Sequence, residues 1–407
     1  MKIVEDHVAV APPAGVPVWD IDPYEPAVLA DPTAYYRELR DKGPFVYLSR
    51  YAALACGRYD VTKEVFGDWE RFVSSRGVGL LDFKLKSPWR APSRLLEVDP
   101  PYHTQTRKVM GRALSPKVVM GLKDRFRAVA DKLVAELVTG DSFDAVPELA
   151  ETFPTTVFPE AVGMRETDRD RLLDYGSMVF NGLGPDNSLR RRNSESAADT
   201  VAWISQRCQR DALTRDGVGA LIYAAVDAGE ATEEEANMLV RSFLSAGVDT
   251  TVSGIGGTLW CLAHHPEAFE RLKADPRLVR VAFEEVLRYT SPVHTFCRTA
   301  AADTTVADVP IQADTKILCT LAAANLDPEK WTDAARFDVA RKPVGHLAFG
   351  TGIHACVGQN LARAEVEAIL LALIERVDRI ELTGEACWRP NNSMRSLETL
   401  PIRLVAS

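Results

Sequence analysis

The segment Phe349-Gly350-Thr351-Gly352-Ile353-His354-Ala355-Cys356-Val357-Gly358 constrains the fold of this chain more than any other. Its three glycines let the backbone approach a flat ligand closely, and one cysteine is presented at its centre. Leu361, Ala362, Val366, Ile369, Leu370, Leu373 and Ile374 then recur at helical spacing, which predicts a helix over 359–376 and sets Cys356 beside its N-terminus. The partial positive charge at a helix N-terminus favours thiolate over thiol, and the thiolate is the form that ligates metal or attacks an electrophile. Gly350-x-Gly352-x-x-Ala355 also fits a dinucleotide fingerprint loosely. The run His346 to Phe349 is too short for the buried strand that fingerprint follows. A cysteine nucleophile, or a cysteine packed in a turn, remains open from the loop alone.

The rest of the chain reads as mainly α with small β-sheets. Helical spacing runs through 115–137, 165–182, 194–213 and 232–263, with shorter helices predicted over 32–42 and 61–69. A β-hairpin is expected across 45–58, with further strands near 296–309, 380–382 and 399–405. Residues 1–18 carry Ala-Pro-Pro-Ala-Gly and read as a flexible N-terminal arm, leaving 19–407 as a single domain. Ser74 to Glu97 has four Gly or Pro residues and little periodicity, so it reads as a long loop, and long ordered loops are more often functional than not. A net charge of −9 argues against nucleic acid as a main partner. No run of eighteen apolar residues and no signal-peptide pattern occurs, and the seven cysteines form no CxxC pair, so a cytoplasmic protein without a membrane segment or zinc site is expected.

Two further motifs stand out. Tyr102 to Arg107 opens a helix after Pro100-Pro101, with His103 and Arg107 an i, i+4 pair able to meet an anion or simply to face solvent. Ala246-Gly247-Val248-Asp249-Thr250-Thr251 sets an acid and two alcohols inside an apolar helical run, where such residues compete for backbone hydrogen bonds. With Phe349, Gly352, Cys356 and Gly358 in the loop, these motifs in this order resemble the cytochrome P450 superfamily. The resemblance implies its fold, one large domain with haem b between the long helix and the Cys-loop helix, and Cys356 as axial ligand to the iron. It also implies Phe349 shielding the sulfur, and His103, Arg107, Arg298 and His354 as contacts to the haem propionates. Asp249 and Thr250 would deliver protons to bound oxygen at a kink. Glu285, Arg288 and Arg336 match a buried ion-pair triad. Leu326 departs from the family, which often has arginine there.

Ser75 to Leu80, Pro88-Trp89-Arg90, Val179-Phe180-Asn181 and Arg241 to Gly247 are similar to the soluble bacterial branch that oxidises para-substituted benzoic acids. That similarity implies Arg90, Ser93, Arg241 and Ser242 holding a benzoate carboxylate near Tyr175, with apolar walls from Leu96, Phe180, Leu183, Ala246, Val293 and Phe296. Leu183 is a second departure, an aromatic being usual there. Helical spacing independently sets Ser242, Ala246 and Asp249 on one face and Ser242 roughly 12 Å along the axis from Thr250, room for one aromatic ring. O-demethylation of 4-methoxybenzoate with O₂ is the specific expectation. Electrons would come from a [2Fe-2S] ferredoxin with an NADH-dependent reductase, docking near Arg341, Lys342 and Arg363. A haem-thiolate oxidant of secondary metabolism acting on another or larger acid, and a non-catalytic haem sensor, are the alternatives.

Overall fold

In the computed structural model, which describes residues 6–139, 141–192 and 197–407, helices form wherever apolar positions recur at helical spacing. Those that build the site are α1 (Thr33–Lys42), α2 (Tyr59–Gly67), α3 (Tyr102–Ala113), α4 (Pro116–Val138), α5 (Thr152–Val162), α6 (Arg169–Asn181), α7 (Val218–Asp227), α8 (Glu233–His264), α9 (Val279–Thr290) and α10 (Gln359–Arg376). α8 is 32 residues long and packs against α5, α6, α7, α9 and α10. Its start is set by a capping box. Thr232 Oγ1 accepts from the Glu235 N–H at 3.1 Å, the Glu235 carboxylate accepts from the Thr232 N–H at 2.9 Å, and acidic side chains fill the first turn. It stops where His265 precedes Pro266, since a residue before proline is pushed out of the α region.

The larger sheet contains β1 (Val18–Trp19), β2 (Val46–Leu48), β3 (Ala53–Cys56), β4 (Phe72–Val73), β5 (Phe296–Ala300) and β6 (Lys316–Cys319), in the order β1-β2-β3-β6-β5-β4. β2 and β3 form the expected hairpin with Val46 opposite Ala55. β6, outside the strands expected from the sequence, lies inside the sheet, parallel to β3 and antiparallel to β5. Lys316 is nonetheless buried, its Nζ 3.2 Å from the Arg76 carbonyl and 3.4 Å from that of Gly77, which ties the start of the long loop to the sheet. A second sheet pairs Val377–Leu382 with Pro401–Ala406, close to the expected strands. One apolar core lies among α3 to α10 and a smaller one beside the mixed sheet.

Three expectations shift. Residues 6–18 are held against the body. The Tyr47 hydroxyl donates to the Val10 carbonyl at 2.8 Å, His7 and Val16 are buried, and Val18 begins a strand parallel to β2. An extended proline-rich segment satisfies its polar backbone by running along another strand. Residues 1–5 of the expected arm lie outside the described residues, as do 193–196 within the expected helix 194–213; the described helix spans Ala197–Arg207, with a 3₁₀ turn at Arg210–Ala212. The ion-pair triad is completed by a different arginine. Glu285 and Arg288 are fully buried and paired at 2.7 and 2.8 Å, and Arg341 Nε donates to Glu285 at 3.0 Å. Arg336 contributes only its carbonyl, while its side chain, 65% exposed, turns to Asp338. Among the described residues no helix is long and apolar enough to cross a membrane.

Candidate active site

The Cys loop forms as its glycines require. Gly350 and Gly352 take left-handed φ of 70° and 68°, and a Cβ on Gly352 would lie 2.6 Å from the Gly67 carbonyl at the end of α2. The Cys356 N–H donates to the Phe349 carbonyl at 2.8 Å, closing the loop. α10 begins three residues after the cysteine, with Gly358 as its N-cap. Burial pushes the Cys356 thiol up, while the N–H groups of Gly358 and Gln359 and the guanidiniums of Arg107 and Arg363 pull the other way. The expected gain of thiolate from the helix end is therefore outweighed by desolvation, and a cation at the sulfur is what would deprotonate it. The Arg363 guanidinium lies 4.7 Å from the Phe349 ring and pairs with Glu284.

A cavity of about 230 Å³ separates this loop from α8. It is lined by Cys356, Phe349, His354 and Arg107 below, and by Ala246 and Thr250 of α8. Arg90, Ser93, Leu96, Tyr175, Phe180, Leu183, Arg241, Ser242, Val293 and Phe296 also line it. His103 and Arg298 stand one layer behind, grouped with His354. The two imidazoles lie 4.3 Å apart, and the buried Arg298 guanidinium is 3.9 Å from the Phe66 ring. His103 Nε2, His354 Nε2 and Arg298 Nη2 are buried without a hydrogen-bond partner. Burial holds His103 down to about 4 and Arg298 down to about 10, with neighbouring positive charge adding to the effect at His103. Asp99, which sequence reasoning did not single out, faces His354 Nε2 at 3.9 Å and accepts from the Ser74 and Ser75 N–H groups at 3.0 and 3.1 Å. Burial alone would raise its carboxyl; His354 and the two serines more than offset that and hold it at about 2.

α8 runs through the acid–alcohol motif as one continuous helix. Thr250 Oγ1 donates back to the Ala246 carbonyl at 2.6 Å, and Thr251 does the same to Gly247 at 2.8 Å. The Asp249 side chain does not line the cavity with Ser242 and Ala246. It packs on α6, where a Cβ at Gly176 would come within 2.2 Å of Asp249 Oδ2. Oδ1 is buried without a partner, and burial pushes this carboxyl well above the usual range. Phe158 fills the corresponding space at Gly247, and Glu365 of α10 lines the cavity below Thr251; neither was marked from the sequence.

At the far end, the long loop closes onto α8. Ser93 Oγ and Ser242 Oγ are 2.9 Å apart, and Arg241 donates to the Ala91 carbonyl at 3.0 Å. Arg90 is not free for a ligand alone: it pairs with Glu97 at 2.9 and 3.2 Å. Tyr175 is buried beside both arginines, and burial raises its phenol. Leu183 packs with Phe180, Val293, Phe296 and Met394 as an apolar wall. Leu326, the other departure, is partly buried against the apolar cluster that holds Tyr36, Leu39 and Ala323.

A cytochrome P450 family model matches residues 205–403. Cytochrome p450 CYP199A2 of Rhodopseudomonas palustris is 47% identical over 392 residues, covering 96% of this chain and 95% of that one. The chain belongs to the cytochrome P450 family. Cytochrome P450 monooxygenase PikC of Streptomyces venezuelae is 32% identical over 412 residues, with 96% and 95% covered. Among solved structures, the P450 CYP109Q5 from Chondromyces apiculatus superposes with a TM-score of 0.80 at 32% identity, covering 95% of this chain and 99% of that one. Cytochrome P450 CREJ in complex with (4-ethylphenyl) dihydrogen phosphate gives 0.83 at 26% identity, covering 94% and 98%.

As a P450, this chain is a haem b monooxygenase that needs O₂ and electrons from a redox partner. Its residues fit the haem. The donor atoms of His103, His354 and Arg298, buried and unpartnered around Asp99, make a site short of negative charge, as two propionates would supply. Cys356 opposite α8 offers one soft ligand.

Proposed function

We propose that this P450 oxidises para-substituted benzoic acids, and that O-demethylation of 4-methoxybenzoate is its reaction. The observation that carries the reading is the cluster of Ser93, Ser242, Arg241 and Arg90 at the end of the cavity away from Cys356. Serine hydroxyls and arginine guanidiniums hold a carboxylate by charge-assisted hydrogen bonds. With the acid held there, the ring lies between Phe180, Leu183, Val293 and Phe296, and the para substituent points along α8 toward Thr250. Fixing one end in this way selects which C–H bond reacts. The haem, when bound, reduces O₂ with two electrons and two protons, placing one oxygen atom in the substrate and releasing the other as water. Thr250 and Asp249 manage the protons. The Thr250 hydroxyl lines the cavity, and Asp249, whose carboxyl burial pushes well above its usual range, supplies it with protons from the α6 side. Electrons come from a [2Fe-2S] ferredoxin with an NADH-dependent reductase. Its docking face is the groove over Phe349, where Lys342 and Arg363 line the wall beside the 84% exposed Val344. Arg341 is withdrawn from that role by its bond to Glu285.

The test is a titration of the ferric holoenzyme with 4-methoxybenzoic acid. A low-spin spectrum that converts to high spin, followed by formaldehyde and 4-hydroxybenzoate on adding O₂, NADH and the redox partners, is the expected result. A haem spectrum that does not respond to the acid would remove this substrate.

A further inference from the structure

The acid end of the cavity holds three charges rather than the two expected. Glu97, with its side chain 1% exposed, closes on Arg90, itself 9% exposed. One Glu97 oxygen accepts from Arg90 Nη1 at 2.9 Å and from the Ser93 N–H at 2.6 Å; the other accepts from Arg90 Nη2 at 3.2 Å. Both terminal nitrogens of the Arg90 fork are thereby engaged, and Nη1 also meets the Ala91 carbonyl at 3.1 Å. Arg241 is also buried, but its bond is to a backbone carbonyl, and among the described residues no carboxylate pairs with it. The three formal charges therefore sum to a single positive one, carried by Arg241.

We propose that Glu97 is the positioning residue that sets the anion specificity of this pocket: by neutralising Arg90 it leaves one net positive charge, matched to a monoanionic carboxylate and set against dianions such as aryl phosphate monoesters. The inference rests on the benzoate reading above. Its physics is the linear dependence of Coulomb energy on ligand charge. In a site this buried, salt screens little, and a dianion that arrives with only one counter-charge keeps an uncompensated charge out of water. Discrimination of this kind comes from withholding a favourable contact from the wrong ligand rather than adding one for the right ligand. Glu97 also orients the serine: it holds the Ser93 N–H, so the Ser93 hydroxyl stays aimed at Ser242.

The experiment compares ferric wild type, Glu97→Gln and Arg90→Gln holoenzymes by spin-state titration with 4-methoxybenzoate and with 4-methoxyphenyl phosphate. It is run at pH 8, where the phosphate monoester, with its second pKa of about 6, is dianionic. The wild type should prefer the benzoate. Because the affinity gain from one added positive charge squares for a dianion, Glu97→Gln should tighten the benzoate about fivefold and the phosphate about 25-fold. Arg90→Gln should do the reverse, weakening both and the phosphate more, so the test survives if Glu97→Gln does not retain haem. A benzoate response in wild type whose ratio to the phosphate is unmoved in both variants overturns the inference alone and leaves Glu97 as a brace. A wild type that responds to neither anion overturns the benzoate reading and the inference with it.

Discussion

Glu365 is a carboxyl group on the cavity side of α10, near Thr251, whose two buried oxygens have no partner at hydrogen-bond geometry among the described residues. Burial pushes it up from an ordinary value of 4.5 to about 8. The folded protein therefore keeps a proton that the unfolded chain releases on passing 4.5. Its contribution to stability is fully present below that pH and is lost progressively as pH rises toward 8. Glu365→Gln keeps the shape and the neutral form at every pH. Urea unfolding should show the variant gaining on wild type steadily from pH 5 to pH 8, and a difference independent of pH would mean that Glu365 titrates normally. An acid among Leu361, Ala362, Val366 and Ile369 is visible in the sequence, but its neutrality is not, because a helical period does not say what the opposite wall offers. Asp249 teaches the same lesson. Its type was legible, and its direction depended on the space that Gly176 leaves.

Two helices reach α8 closely enough that glycine decides the contact. A Cβ on Gly176 of α6 would lie 2.2 Å from Asp249 Oδ2, and one on Gly247 of α8 would lie 1.9 Å from Phe158 of α5. Gly111 in α3 is the internal control, with nothing within 4 Å of an added Cβ. Replacing glycine by alanine inside a helix ordinarily stabilises by about 0.5–1 kcal/mol, and Gly111→Ala should show this. Gly176→Ala should instead cost about 1–3 kcal/mol through overpacking. It should also lower turnover while the affinity for 4-methoxybenzoate, read from the spin shift, changes little, since the acid is held at the other end of the cavity. A turnover equal to wild type would separate Asp249 from proton supply. The helices themselves were largely legible from spacing, α8 among them, while its Thr232–Glu235 capping box was found only in the structure. The direction of Asp249, toward α6 and away from the cavity, was not legible, because it depends on what packs against the helix.

Across the whole molecule, the buried Glu285–Arg288 pair joins α9 to the segment before the Cys loop, through the Asn325 and Ala334 carbonyls and Arg341. Arg288→Met would leave the buried Glu285 with only the Arg341 guanidinium and the Asp338 N–H as partners and should cost about 3–5 kcal/mol, with haem loss at lower urea. Glu285→Leu together with Arg288→Met should cost less than Arg288→Met alone, and additive losses would deny the coupling. The family and its haem chemistry were legible in the sequence as a resemblance, because the motifs that carry it, Phe349 to Gly358, His103-x-x-x-Arg107 and Asp249-Thr250, each lie within one loop or one helical turn. Only the tertiary structure decided that Arg341 and not Arg336 completes the triad, that Glu97 takes Arg90, and that the Glu365 oxygens find no partner at hydrogen-bond geometry among the described residues. Each is a pairing across segments, and which charges meet within about 3 Å depends on how the elements pack, which no local period encodes.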